Sequence, residues 1–145
     1  MIRFEVPGED SPVEDFPLIE TVRDCCGKAR EFEVSLNTTD GGYFLRAREM
    51  RAGPGGYEFA AHHAASPYVA LGCLRQRIAE GLSTRYLVEE DGMRCLGHDR
   101  AVGHIGYECV VIDGKEVPFD ELTSMLETYE GWSFEIRIAE PFGGL

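Results

Sequence analysis

The strongest constraint on the fold is a change of hydrophobic period along the chain. Phe32, Val34 and Leu36 alternate with Glu31, Glu33 and Ser35, and Tyr57, Phe59 and Ala61 share one face of a later run. A period of two is that of a half-buried strand. It predicts strands near 31–36, 43–50 and 57–63, joined by the loop Asn37–Gly42 and by the breaker Arg51–Gly56 as an antiparallel meander. From Pro67 to about Leu87 the period becomes helical. Leu71, Leu74, Ile78 and Leu82 form one stripe, and Arg75, Arg77 and Glu80 face away. Ser66 can cap the first free amides, and Pro67 fits a first helical position that needs no N–H. Gly72 and Gly81 weaken that helix, which predicts close approach to the sheet.

The second half begins with the polar turn Glu89–Gly92 and weaker strand candidates at 93–97 and 101–106. Val110-Val111-Ile112, Asp113-Gly114 and Lys115-Glu116-Val117 then spell a two-residue hairpin, because Asp-Gly tolerates the positive φ angles of a type I′ turn. Pro118–Glu121 opens a short helix whose acids suit its N-terminus, with Phe119, Leu122, Met125, Leu126 and Tyr129 as its apolar face. After Gly131, Trp132, Phe134, Ile136 and Ile138 alternate with Ser133, Glu135, Arg137 and Ala139, which predicts a last strand. Ahead of all this, Pro7, Pro12 and Pro17 with clustered acids predict a short first strand at 1–6 and then an irregular segment to residue 30. The expected architecture is a single domain over 1–145, with an α+β core at 31–139. That core is a mainly antiparallel curved sheet of five to seven strands, packed by one long and one short helix.

Val111-Ile112-Asp113-Gly114-Lys115-Glu116-Val117, then Phe119-Asp120-Glu121-Leu122, then Glu130-Gly131-Trp132-Ser133-Phe134 resembles the tail of an uncharacterised bacterial domain family of unknown function. Gly56-Tyr57-Glu58-Phe59 ahead of the long helix is similar to its front half. The resemblance covers roughly 31–139 and implies the α+β fold. Where that family has an Arg-Gly-Arg-like stretch, this chain has Val102-Gly103-His104, so no role of those arginines carries over. The resemblance implies no activity, cofactor or catalytic residue.

Charge narrows the classes of partner. With 26 acidic and 14 basic residues the formal charge is −12, a field that repels phosphate backbones and anionic membranes. We expect neither nucleic acid nor membrane as partner. The first residues lack a signal-peptide core, and five irregularly spaced cysteines do not read as a disulfide framework, so a cytoplasmic location is expected.

Candidate chemistry is thin. Cys95, His98, His104 and Cys109 offer four nitrogen and sulfur donors within fifteen residues, enough in number for tetrahedral zinc. His104 and Cys109 differ by five, however, so on one regular strand they face opposite ways unless Gly106 is a bulge. His62 and His63, at a strand end before the helix start, are a candidate polar site, of which at most one side chain lines a pocket. Arg46, Arg48, Arg75 and Arg77, with Arg51 and Arg85, would form a basic patch if they converged; ordinary ion pairing with nearby acids is the simpler expectation. No nucleophile elbow, phosphate loop or paired catalytic carboxylate is present in the sequence. The leading expectation is a non-enzymatic protein-interaction or self-associating module, a homodimer formed through the last strand. The rival is a small metal-dependent enzyme or ligand-binding domain using the Cys95/His98/His104/Cys109 region.

Overall fold

The computed structural model describes residues 15–142. The elements run β1 (Leu18–Arg23), β2 (Ala29–Thr39), β3 (Gly42–Glu49), β4 (Glu58–His63), α1 (Pro67–Leu82), β5 (Leu87–Glu90), β6 (Met93–Leu96), β7 (Gly103–Gly106), β8 (Cys109–Ile112), β9 (Lys115–Pro118) and α2 (Phe119–Glu127). The class is α+β with antiparallel pairing, but the described strands form three sheets rather than one: β1-β2-β3-β4, β5-β6 and β7-β8-β9. The later strands are four residues each and close on their sequence neighbours through tight turns, so they complete their ladders locally.

The first sheet carries the meander read from the sequence. Val34 pairs with Ala47, and Ala47 with Phe59; Leu36 pairs with Leu45, and Leu45 with Ala61. These residues share the face on which α1 packs. Leu71, Leu74, Ile78 and Leu82 are buried there, each contributing about 1.5–3 kcal/mol. Ser66 caps α1 by accepting from the amides of Tyr68 and Val69 at 3.2 Å. The helix stops at Leu82 rather than Leu87. Gly81 does allow close approach, since a Cβ there would lie 2.3 Å from the Phe59 ring, whereas Gly72 faces open space.

Two further expectations fail on the described residues. The segment to residue 30 is not irregular throughout: Leu18–Arg23 is β1, pairing antiparallel with β2 from Leu18↔Val34 to Arg23↔Ala29. Prolines forbid helix there, but they do not forbid an edge strand, and Pro17 sits just before one. The strand expected at 1–6 lies outside the described residues. At the other end, residues 133–140 carry no strand. Their alternation is intact, but among the described residues no neighbouring strand supplies a ladder.

A second cluster, Leu87, Ile112, Val117 and Met125, is the core of the later elements. Arg94 ties β6 to α2 through Glu121, donating from Nε at 2.8 Å and Nη2 at 2.6 Å. Of the apolar face expected for α2, Met125 is buried and Leu122 packs on the cluster, while Phe119 and Leu126 stay about half exposed.

The turn Asp113-Gly114 joins the two clusters. Both residues have positive φ, 56° and 74°, as the type I′ reading requires. The Asp113 carboxylate, itself buried, accepts from the amides of Tyr86 (2.9 and 3.1 Å) and Leu87 (2.7 Å). The Gly114 carbonyl accepts from the Gly56 amide at 2.6 Å and from Arg51 Nη1 at 3.0 Å. One tight turn thus pins both the loop before β4 and the start of β5.

Candidate functional site

The four zinc candidates sit on separate elements. Cys95 is on β6, its Sγ 3.8 Å from the Met93 carbonyl. His98 follows β6, with Nε2 3.1 Å from the Arg85 carbonyl and its ring edge-on to Tyr86. His104 is on β7 and Cys109 on β8. The pair does not share one strand, because Tyr107-Glu108 closes a two-residue turn between Gly106 and Cys109. The ladder sets His104 opposite Val111 and Gly106 opposite Cys109, so His104 and Cys109 lie on the same face without any bulge. They still do not make a site with the others. Cys109 is buried beside Glu116, and burial first, then that carboxylate, push its thiol up, which disfavours the thiolate a metal needs. Among the described residues no three His, Cys, Asp or Glu side chains come together as a metal-holding group.

The histidine pair splits between the faces of the sheet. His62 stacks on Phe44 with ring centroids 4.3 Å apart, and its Nε2 lies 2.7 Å from the Gly41 carbonyl. His63 Nδ1 accepts from the amides of Ala65 and Ser66, holding the turn into α1. That use is structural.

The arginines divide in the same way. Arg46 and Arg48, on the face away from α1, both approach Glu58 at 3.6 and 3.8 Å. Arg75 grips Glu20 of β1 with two bonds of 2.7 and 2.9 Å. Arg77 Nη1 donates to the carbonyls of Ala60 (2.5 Å) and Phe142 (3.2 Å). The four do not gather into one patch: Arg46 and Arg77 both reach Phe142 at the β4 edge, whereas Arg48 lies toward Glu58 and Arg75 is held by Glu20. A buried arginine outside the patch does more. Arg30 bridges Asp24 at 3.0 Å and Glu49 at 2.9 Å and lies over the Tyr57 ring. Burial raises the Asp24 carboxyl, but the Lys28 amide, Arg30 and the Cys26 amide outweigh it and hold the group below its ordinary 3.8.

Two further features stand out, a cleft that the sequence does not place and the segment expected as the last strand. The first is a cleft of about 780 Å³ between the β4 edge with α1 and the β7–β8 hairpin. Arg46, Tyr57, Phe59, Arg77 and His104 line it, and residues 137–141 form one wall. Burial, with Asp113 next, pushes the Tyr57 phenol up to about 12, so it stays a hydroxyl. Burial also lowers His104, which favours the neutral ring.

The second is the C-terminal arm. Gly131, with φ 91°, turns the chain out of α2, and Trp132 meets Tyr129 edge-on at 5.2 Å. Phe142 then anchors the far end, edge-on to Phe44 at 5.1 Å and beneath the Arg46 guanidinium. Between these anchors Trp132, Phe134, Ile136 and Ile138 are 67%, 85%, 72% and 74% exposed.

No curated protein and no solved structure matches the chain. Two family models do, meeting between α1 and β5. Residues 14–83 are similar to a domain of unknown function (DUF7686), and residues 86–143 to another domain of unknown function (DUF7713).

Proposed function

We propose that this chain is a non-enzymatic protein-interaction module that presents residues 132–139 for pairing as an added strand. One observation carries the reading: four large apolar side chains at period two stand in solvent, on backbone that makes no ladder bond among the described residues. Scattered apolar residues on a surface are ordinary; a contiguous alternating run is the pattern of a strand awaiting its sheet. An anionic membrane is a poor alternative cover, since the net charge is strongly negative.

The test compares two baits in native extract, the wild-type chain and Phe134→Ser/Ile136→Ser. Both sites are exposed, so the circular dichroism of the variant should match wild type. Proteins held by wild type and released by the variant support the reading; identical capture by both baits removes it.

The cleft supports a second reading, a small-ligand site, because its volume falls within the usual range of roughly 300–1,000 Å³. A thermal-shift screen with small carboxylates probes it, and a flat response across the set rejects it.

A further inference from the structure

The arm is complementary to itself. Laid antiparallel against a second copy, residue i meets a residue j of the same face only when i and j sum to an even number, because faces alternate every residue. That leaves few registers, and charge separates them. Centred on Glu135, the pairing sets Glu135 against Glu135; centred on Arg137, it sets arginine against arginine and Phe134 against Glu140. Centred on Phe134, it reaches only from Gly131 to Arg137. Centred on Ile136, it sets Glu135 against Arg137 twice, once on each side of the two-fold axis. On the other face it sets Phe134 against Ile138 twice and Ile136 against itself at the centre, and Trp132 against Glu140 only at the two ends. Aromatic with β-branched and opposite charges are the favoured cross-strand neighbours. Glu135 and Arg137 are exposed and make no ion pair among the described residues, so neither must leave another partner.

We propose that the partner of residues 132–140 is the same segment of a second copy, paired antiparallel about Ile136 so that Glu135 of each chain faces Arg137 of the other. This rests on the strand-pairing reading above and adds the occupant and the register. A two-fold contact of this kind is closed, which limits assembly to a dimer. The eight apolar side chains of the resulting ribbon fall on one face.

Charge exchange tests it without touching the core. Wild type, Glu135→Lys, Arg137→Glu and an equimolar mixture of the two variants are run through light scattering and sedimentation at tens of micromolar. Wild type should be a dimer. Each single variant should weaken it by roughly tenfold or more, since both cross-strand pairs become like-charged. The mixture should recover the dimer, because lysine and arginine of one chain then face two glutamates of the other. A dimer indifferent to both variants, or a mixture that stays monomeric, overturns the register. A monomeric wild type overturns the second copy as occupant; the extract comparison with Phe134→Ser/Ile136→Ser then decides separately whether the arm pairs with another protein.

Discussion

Replacing Asp113 by alanine should cost far more than a surface turn residue usually does. The Leu87 amide is buried and receives a carboxylate oxygen at 2.7 Å. Losing that acceptor costs about 1–3 kcal/mol for the stranded donor. The Tyr86 amide touches both oxygens but is only partly buried, so water can replace much of its bond and about 1 kcal/mol is the fair charge. Alanine must also hold φ near 56°, which adds about 1–2 kcal/mol. The sum is about 3–6 kcal/mol, a large part of a typical domain's stability of about 5–15 kcal/mol. Two companions separate the parts. Asp113→Gly keeps the backbone freedom and loses only the acceptors, so it should sit about 1–2 kcal/mol above the alanine variant. Asp113→Asn keeps one oxygen and tolerates positive φ, and should lose the least. Urea unfolding followed by far-UV circular dichroism reads all three. An alanine variant within about 1 kcal/mol of wild type would show that the amides of residues 86 and 87 need no partner, and the turn would then be an ordinary hairpin end.

Arg30→Ala leaves two buried carboxylates, Asp24 and Glu49, facing each other without their cation, and should cost about 3–5 kcal/mol in the same assay; a loss under 1 kcal/mol would mean that water already compensates them. Because the folded Asp24 carboxyl is held below 3.8, its contribution is complete above that value and is lost as pH falls through the lower folded value. Asp24→Asn should therefore flatten the stability profile on the acid side, and a profile parallel to wild type down to pH 2.5 would rule that out. Gly103→Ala places a Cβ 1.9 Å from the Val111 carbonyl oxygen, which is backbone and cannot swing aside, so β7 must shift off β8 at a cost of about 3 kcal/mol or more. Unchanged amide-exchange protection at Val111, whose N–H faces β7, would contradict the packing in that variant.

What could be read from the sequence was what neighbours in the chain decide. Ser66-Pro67 starts a helix because the cap and the missing donor are local, and Leu71 to Leu82 lie on one face whatever they pack against. Asp113-Gly114 turns because two adjacent φ angles permit it. The same chemistry at Asp91-Gly92, with φ of 53° and 78°, lies within the polar turn read at Glu89–Gly92 and closes the β5–β6 hairpin; what the sequence hides is β5 itself, because the helical period runs on to Leu87 and Glu89-Glu90 are polar. β1 was missed for a different reason: Leu18, Glu20 and Val22 face the same side, but only pairing with β2 distinguishes that run from the proline-rich stretch before it. The grip of Asp113 on residue 86, 27 positions earlier, leaves no local trace at all. Residues 132–139 show the limit most sharply. Alternation states which face a strand would bury, while the partner that makes it a strand need not lie in the same chain.

The arm also links the two candidate surfaces. It is anchored beyond α2 at Gly131 and on the first sheet at Phe142, whose carbonyl is held by Arg77 and whose ring lies under Arg46. Both arginines line the cleft, and so do Arg137 and Ile138 of the arm itself. Pairing about Ile136 would engage the same backbone that walls the cavity. A molecule in the cleft that prefers one arrangement of residues 137–141 must therefore change the affinity of the arm for its partner, and the partner must change the affinity for that molecule by the same factor. If both readings hold, Arg137 couples them, since it lines the cavity and would face Glu135 of the other copy in the proposed ribbon.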